Sequence, residues 1–276
     1  MKIRIGFSPC PNDTFIFDAL VHGKVDTEGL RFEPLLADVE ELNRLAFEGA
    51  LPLTKLSFHA LGHLLDRYAL LNSGSALGRG CGPLLIARPG QTLEQLENAP
   101  IAIPGRWTTA NFLFSLAFPQ LRNKVELLFS QIEEAVLEGE VGAGVIIHEN
   151  RFTYAEKGLV ALRDLGAFWE ESTGLPIPLG GIAVRRDLPA ELQHRLERVL
   201  RRSVEFALQN PMASESYVKK HAQEMDPAVL HSHIRLYVND FTLDLGAEGR
   251  RAVERLFQTA RELELIPPYA SSVFIN

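Results

Sequence analysis

Two rhythms of apolar and polar positions alternate along the first two thirds of the chain. Short apolar runs of strand length lie at Ile3 to Phe7, Phe32 to Leu36, Leu53 to Leu56, Leu84 to Ala87, Ile101 to Ile103, Val125 to Phe129 and Val145 to Ile147. Between them, segments such as Val39 to Glu48, Leu93 to Glu97 and Ile132 to Glu138 repeat apolar residues at helical spacing, which gathers them on one face. Alternation of this kind predicts an α/β architecture with largely parallel sheets, because a parallel strand pair needs a crossover and a helix commonly supplies it. After about Asp187 the strand rhythm stops, and Ala190 to Gln209, Asp226 to Val238 and Ala247 to Leu263 read as helices.

Turn chemistry divides this pattern. Gly74 to Pro83 is the most glycine-dense stretch, and Pro176 to Gly181 is a second flexible one. Two such places suggest that the chain crosses twice between lobes: a larger α/β lobe from residues 1–87 and 182–276 that carries the C-terminal helices, and a smaller inserted α/β lobe at 88–181, with a ligand cleft between them. The glycine run precedes a strand and not a helix, so it is no dinucleotide fingerprint.

Composition narrows the classes. With 276 residues, 46% of them hydrophobic, the chain can bury ample core. Its 28 Lys and Arg against 35 Asp and Glu leave a net charge of −7 and no basic stripe for a phosphate backbone, so nucleic acid is not an expected partner. The chain enters a strand directly after Met1 without the zones of a secretory signal, and no apolar run approaches membrane-spanning length. A cytoplasmic protein without membrane insertion is therefore expected. Cys10 and Cys81 are its two cysteines, which make neither a metal quartet nor a disulfide framework, and a reduced compartment fits them.

Candidate chemistry collects where strands give way to helices. After the first strand, Ser8-Pro9-Cys10-Pro11-Asn12-Asp13-Thr14 fixes the backbone with two prolines and offers three helix-capping residues in a row. At the end of Leu53 to Ser57, alternation puts Lys55 and Ser57 on one side, where an ammonium, a hydroxyl and helix N–H groups could receive a carboxylate. The plainer alternative is a helix cap and a lysine reaching for water. Thr108 and Thr109 follow the strand Ile101 to Ile103 and open a helix, one more threonine than a cap needs. His148 ends the apolar run before Glu149 and Asn150, at the strand edge where α/β proteins bind ligands and with a titration range suited to a general base. The competing reading is a buried, hydrogen-bonded histidine. His59 and His63 share a helix face but lack a third ligand, and His231, His233 and His221 make no convincing site. Phe15 and Phe17 are expected in the core.

The strings GFSPCPNDTFIF, LPLTKLS, GRWTTANFL, GVIIHENRFTY and TGLPIPLGGIAVRRDL resemble the 1,4-dihydroxy-6-naphthoate synthases of menaquinone biosynthesis, and the resemblance runs essentially from end to end. It implies a periplasmic-binding-protein-like (type II) fold, two α/β lobes joined by two crossover strands, here in a cytoplasmic enzyme of the futalosine route. The implied reaction turns cyclic dehypoxanthine futalosine into 1,4-dihydroxy-6-naphthoate with release of dihydroxyacetone. His148 then occupies the position of the proton acceptor. Lys55, Leu56 and Ser57 match one substrate-binding string, Thr108 and Thr109 a second, and Asp13 and Thr14 lie in the opening motif. Neither a cofactor nor a metal is implied, and the expected partner is a carboxylated small molecule. Two alternatives stay open: a chorismate dehydratase-type enzyme of the same pathway, and a non-catalytic small-molecule receptor.

Overall fold

The computed structural model describes residues 1–222 and 226–275. In chain order its elements are β1 (Lys2–Phe7), α1 (Pro11–Val21), β2 (Arg31–Leu36), α2 (Val39–Phe47), β3 (Leu53–Ser57), α3 (Phe58–His63), β4 (Tyr68–Leu70), β5 (Ala76–Gly78), β6 (Leu84–Ala87), β7 (Ile101–Ile103), α4 (Thr109–Ala117), β8 (Lys124–Glu126), α5 (Ile132–Glu138), β9 (Ala143–Ile146), α6 (Asn150–Thr153), β10 (Val160–Asp164), α7 (Leu165–Thr173), β11 (Ile177–Arg185), α8 (Ala190–Gln209), α9 (Glu215–His221), α10 (Pro227–Tyr237), α11 (Asp240–Leu243) and α12 (Gly246–Glu262). They form two compact units, Met1–Gly78 with Pro178–Asn276, and Arg79–Ile177. Both crossings fall inside the glycine-bearing stretches, and β6 belongs with the second unit.

The first unit holds a sheet ordered β2-β1-β3-β11-β4, with β5 paired to β11. β1 runs parallel to β2 and β3, whereas β11 runs antiparallel to β3 and β4. α1 is buried from Pro11 through Leu20 because α8, α9 and α10 pack around it, and its buried Asn12, Asp13, Thr14 and Asp18 are each hydrogen-bonded. Phe17 stacks on Phe7 with ring centroids 4.5 Å apart, and both are fully buried, as is expected of core aromatics that contribute about 1.5–3 kcal/mol each. α8 turns Leu192, Leu196, Val199, Leu200, Val204 and Ala207 inward at three- and four-residue spacing. Its arginines are held in ion pairs, Arg195, Arg198 and Arg202 with Glu28 and Arg201 with Asp244.

The second unit holds a sheet ordered β10-β6-β9-β7-β8, with β9 at its centre. β7 runs parallel to β8 and β9, and β6 runs antiparallel to β9 and β10. Its core joins Leu84, Ile86, Ala102 and Ile146 of the sheet to Ile132, Ala135 and Val136 of α5.

The largely parallel sheets expected from the alternation are in fact mixed. β4 and β5 are three-residue strands, too short to show a period, and β11 carries Pro178, Gly180 and Gly181, which read as flexibility. The expected strand Val125 to Phe129 is shorter: β8 ends at Glu126, and Phe129 begins a 3₁₀ turn with its ring buried. Leu93 to Glu97 forms a single 3₁₀ turn over Glu94–Leu96 in place of an amphipathic helix, with only Leu96 to bury.

Candidate active site

Because β1 and β3 are parallel neighbours, the opening motif and the Lys55-Leu56-Ser57 string leave the first unit's sheet at the same carboxyl edge, where α/β sheets place ligands. Pro11 starts α1, where its missing N–H costs nothing, and Cys10 stands at the cap position without a capping side chain. Asp13 reaches back across the loop. One carboxylate oxygen accepts from the Ser8 amide at 3.1 Å and the Ser8 hydroxyl at 2.9 Å, and the other accepts from Asn12 Nδ2 at 2.8 Å and Lys55 Nζ at 2.5 Å. Asp13 is 1% exposed and Lys55 6%, so four donors offset the desolvation of a buried carboxylate. Lys55 therefore does not reach for water. Its ammonium gives one hydrogen to Asp13 and has two more to offer.

The other residues of this edge divide by role. Thr14 does not cap α1; its hydroxyl donates to the carbonyl of Cys10 at 3.0 Å. Leu56 is fully buried, on the face of β3 opposite Lys55 and Ser57. Ser57 is clasped by Asn43 of α2: its amide donates to Asn43 Oδ1 at 3.0 Å, and Asn43 Nδ2 donates to its hydroxyl oxygen at 3.2 Å. β11 pairs Gly180 with Ser57, and a Cβ at Gly180 would lie 2.8 Å from the Leu56 carbonyl and 3.1 Å from Lys55 Cε. Glycine there is what lets the lysine chain run along the strand.

His231 and His233 fall on different faces of α10, as two-residue spacing on a helix requires. His233 is fully buried, and its Nε2 lies 2.9 Å from Asn12 Oδ1, so the opening motif is tied to a helix more than two hundred residues later. His231, two positions away, is exposed. Helical spacing separates the two, and tertiary packing decides which one is buried.

In the second unit, β7 and β9 are likewise parallel neighbours, and Thr108-Thr109 and His148 follow their carboxyl ends at one edge. Thr108 caps α4: its oxygen accepts from Asn111 N at 3.2 Å and its hydroxyl donates to Gly105 O at 2.8 Å. Thr109 is buried in the first turn. Behind them Lys124 donates to Asn111 Oδ1 at 3.0 Å and Ser115 Oγ at 2.5 Å, and burial pushes its pKa below the usual lysine value. Half-buried Trp107 has the Arg106 guanidinium 5.0 Å from its ring centre.

His148 lies just beyond the central strand, half-buried, with φ of 59°. A residue with a Cβ in this left-handed conformation stores strain that surrounding structure must hold, and such strain clusters at functional sites. Three contacts brace the turn. The Phe129 ring meets the imidazole edge-on with centroids 4.9 Å apart. Asn150 donates to Glu133 Oε2 of α5, which also receives Lys157 Nζ at 2.6 Å. Arg151 donates to Gly82 O at 2.5 Å and to Asp164 Oδ2 at 2.7 Å, while Asp164 caps α7. Nothing local in the sequence marks Glu133 or Asn43 as a support, since a buried carboxylate or amide is recognised only by its partner.

Among the described residues, neither unit by itself brings together ligand atoms from three His, Cys, Asp or Glu residues. His59 and His63 are neighbouring rings that meet edge-on, 5.2 Å between centroids. Burial pushes the Cys81 thiol up to about 12, which keeps it protonated and unreactive. No helix among the described residues is long and apolar enough to cross a membrane.

A family model described as menaquinone biosynthesis matches residues 3–262. A 1,4-dihydroxy-6-naphthoate synthase of Thermus thermophilus is 53% identical over 273 residues, 99% of either chain. The synthase of the same name from Streptomyces coelicolor is 45% identical, over 96% of this chain and 95% of that one. Among solved structures, an Archaeoglobus fulgidus protein superposes with a TM-score of 0.90 at 40% identity, covering 96% of this chain and 98% of that one. A Candida albicans protein with the generic periplasmic-binding-protein fold gives 0.67 at 10% identity, over 99% and 93% of the two chains, a likeness of fold alone. The two-sheet α/β architecture is thus that of the periplasmic binding proteins.

Proposed function

Since the chain belongs to the menaquinone biosynthesis family, we propose that it is the lyase that converts cyclic dehypoxanthine futalosine into 1,4-dihydroxy-6-naphthoate and dihydroxyacetone. The observation that carries this reading is His148. A titratable side chain follows the central strand, in a strained backbone conformation that neighbouring side chains brace, within a chain 53% identical to a synthase over 99% of its length.

His148 acts as the general base. It takes a proton from a hydroxyl of the sugar-derived fragment. As the resulting alkoxide becomes a carbonyl, the carbon–carbon bond breaks, its electron pair passes into the ring system, and the proton held by His148 is returned there. The ring system left behind becomes aromatic, which makes the reaction downhill. In the first unit the two further hydrogens of the Lys55 ammonium and the Ser57 hydroxyl serve a substrate carboxylate. In the second, Thr108 caps α4, and the first turn of that helix, with Thr109, receives substrate oxygens. Asp13 and Thr14 hold the opening motif. Leu56 contributes through its backbone, since its side chain is in the core.

Incubating the purified protein separately with cyclic dehypoxanthine futalosine and with chorismate tests the reading. Appearance of 1,4-dihydroxy-6-naphthoate and dihydroxyacetone from the first alone supports it. Dehydration of chorismate, or tight binding of either compound without product, overturns it.

A further inference from the structure

We propose that His233 is a positioning residue for the Lys55 ammonium, acting through Asn12 and Asp13; its effect on turnover rests on the function proposed above. The argument begins with the proton inventory. Asp13 receives the Lys55 ammonium and both Ser8 donors, so its oxygens act as acceptors and the Asn12 group 2.8 Å from it is the NH₂ side of the amide. The other side of that amide is then its oxygen, which faces His233 Nε2 at 2.9 Å. Nε2 therefore carries a hydrogen and donates it. The chain of contacts runs from α10 through the first turn of α1 to the end of β3, within one unit, and Asn12, Asp13, Lys55 and His233 are all at least nine-tenths buried.

A buried imidazole is costly where an aliphatic side chain would serve packing alone, so its hydrogen bond is what this residue type adds. Without that donor the Asn12 oxygen loses its partner inside the protein. The stranded oxygen recovers a partner only if the amide tilts toward another donor or water, and such a tilt lengthens the Asn12 Nδ2 contact to Asp13, one of the four donors that fix the carboxylate. Asp13 shifts, and the two ammonium hydrogens meant for the substrate shift with it. The consequence is weaker substrate binding with the proton-transfer step at His148 intact. Tyr237, one turn further along α10, packs its ring 4.6 Å from the imidazole and holds it in this pose.

The test uses the full chain labelled with nitrogen-15 at histidine and asparagine, together with the H233Q and H233F variants. In the wild type, NMR should show a protonated His233 Nε2 coupled across the hydrogen bond to a slowly exchanging Asn12 side-chain amide. With cyclic dehypoxanthine futalosine as substrate, H233F should raise KM roughly tenfold or more while kcat falls by less than about threefold, as the loss of one buried hydrogen bond implies. H233Q, whose amide can place a donor where Nε2 stood, should restore KM to within about threefold. An unprotonated Nε2, an unchanged KM in H233F, or equal impairment of both variants in spite of equal melting temperatures would overturn the proposal. If the wild type fails to turn over this substrate the proposed function fails, while the protonation of Nε2 and the Asn12 amide signal in wild type and H233Q still decide the contact. Should H233F not fold, the kinetics of H233Q and the wild-type spectrum decide the same question.

Discussion

Lys55 and Asp13, 42 positions apart in the chain, meet at 2.5 Å with side chains 7% and 1% exposed. Removing one member of such a pair leaves the other charged and buried, which costs about 3–5 kcal/mol, whereas replacing both with apolar groups of similar volume is often neutral. D13A and K55A should therefore each lose about that much in urea denaturation, and D13L/K55M should recover most of it. The double variant should still bind substrate poorly, because the ammonium is gone. Equal stability of wild type and both single variants would show that the pair is not buried as described.

His148 at φ 59° makes a prediction about the backbone that is separate from catalysis. Asparagine tolerates the left-handed region and a β-branched residue does not. H148N should melt close to the wild type, and H148V should lose about 1–3 kcal/mol. Differential scanning calorimetry of the two variants distinguishes them.

Glu133 is 2% exposed and joins Asn150 and Lys157 to α5. E133A strands the Asn150 amide and should destabilise the protein by about 1–3 kcal/mol. The loss should be local: hydrogen exchange should quicken at the amides of 148–153 before the first unit is affected. Uniform loosening of the whole chain would contradict this.

Glu28 is held at about 2 by its hydrogen bond to Arg198, with Arg202 adding to the effect. A carboxyl whose folded-state pKa lies below its ordinary value of 4.5 adds stability that is complete above that value and is lost as pH falls toward about 2. E28Q should therefore melt below the wild type at pH 7, and the gap should close between pH 4.5 and about 2. The cluster is at the surface, so added salt should narrow the gap as well.

What could be read from the sequence was what local periodicity and strand-to-helix exits encode. Apolar runs located β1, β2, β3, β6, β7 and β9, and helical spacing located α2, α5 and α8, because each element is long or apolar enough to show its period. β4 and β5, at three residues, carry no period, and in β11 Gly180 serves close approach to Lys55 while Gly181 makes room for Leu70, needs that only the neighbouring strands reveal. The same limit applies to the candidate site. Asp13, Lys55 and His148 stand at exits that sequence reasoning can find, while Asn43, Glu133 and His233 sit on helices whose patterns are ordinary and meet Ser57, Asn150 and Asn12 through hydrogen bonds that only the folded chain makes.

The turnover number of H148N with cyclic dehypoxanthine futalosine, in protein shown to fold and to bind that compound, tests the assignment of the base most directly. Loss of a positioned proton acceptor should lower it by at least about a hundredfold while binding is kept. A rate within a few-fold of the wild type would mean that another group takes the proton.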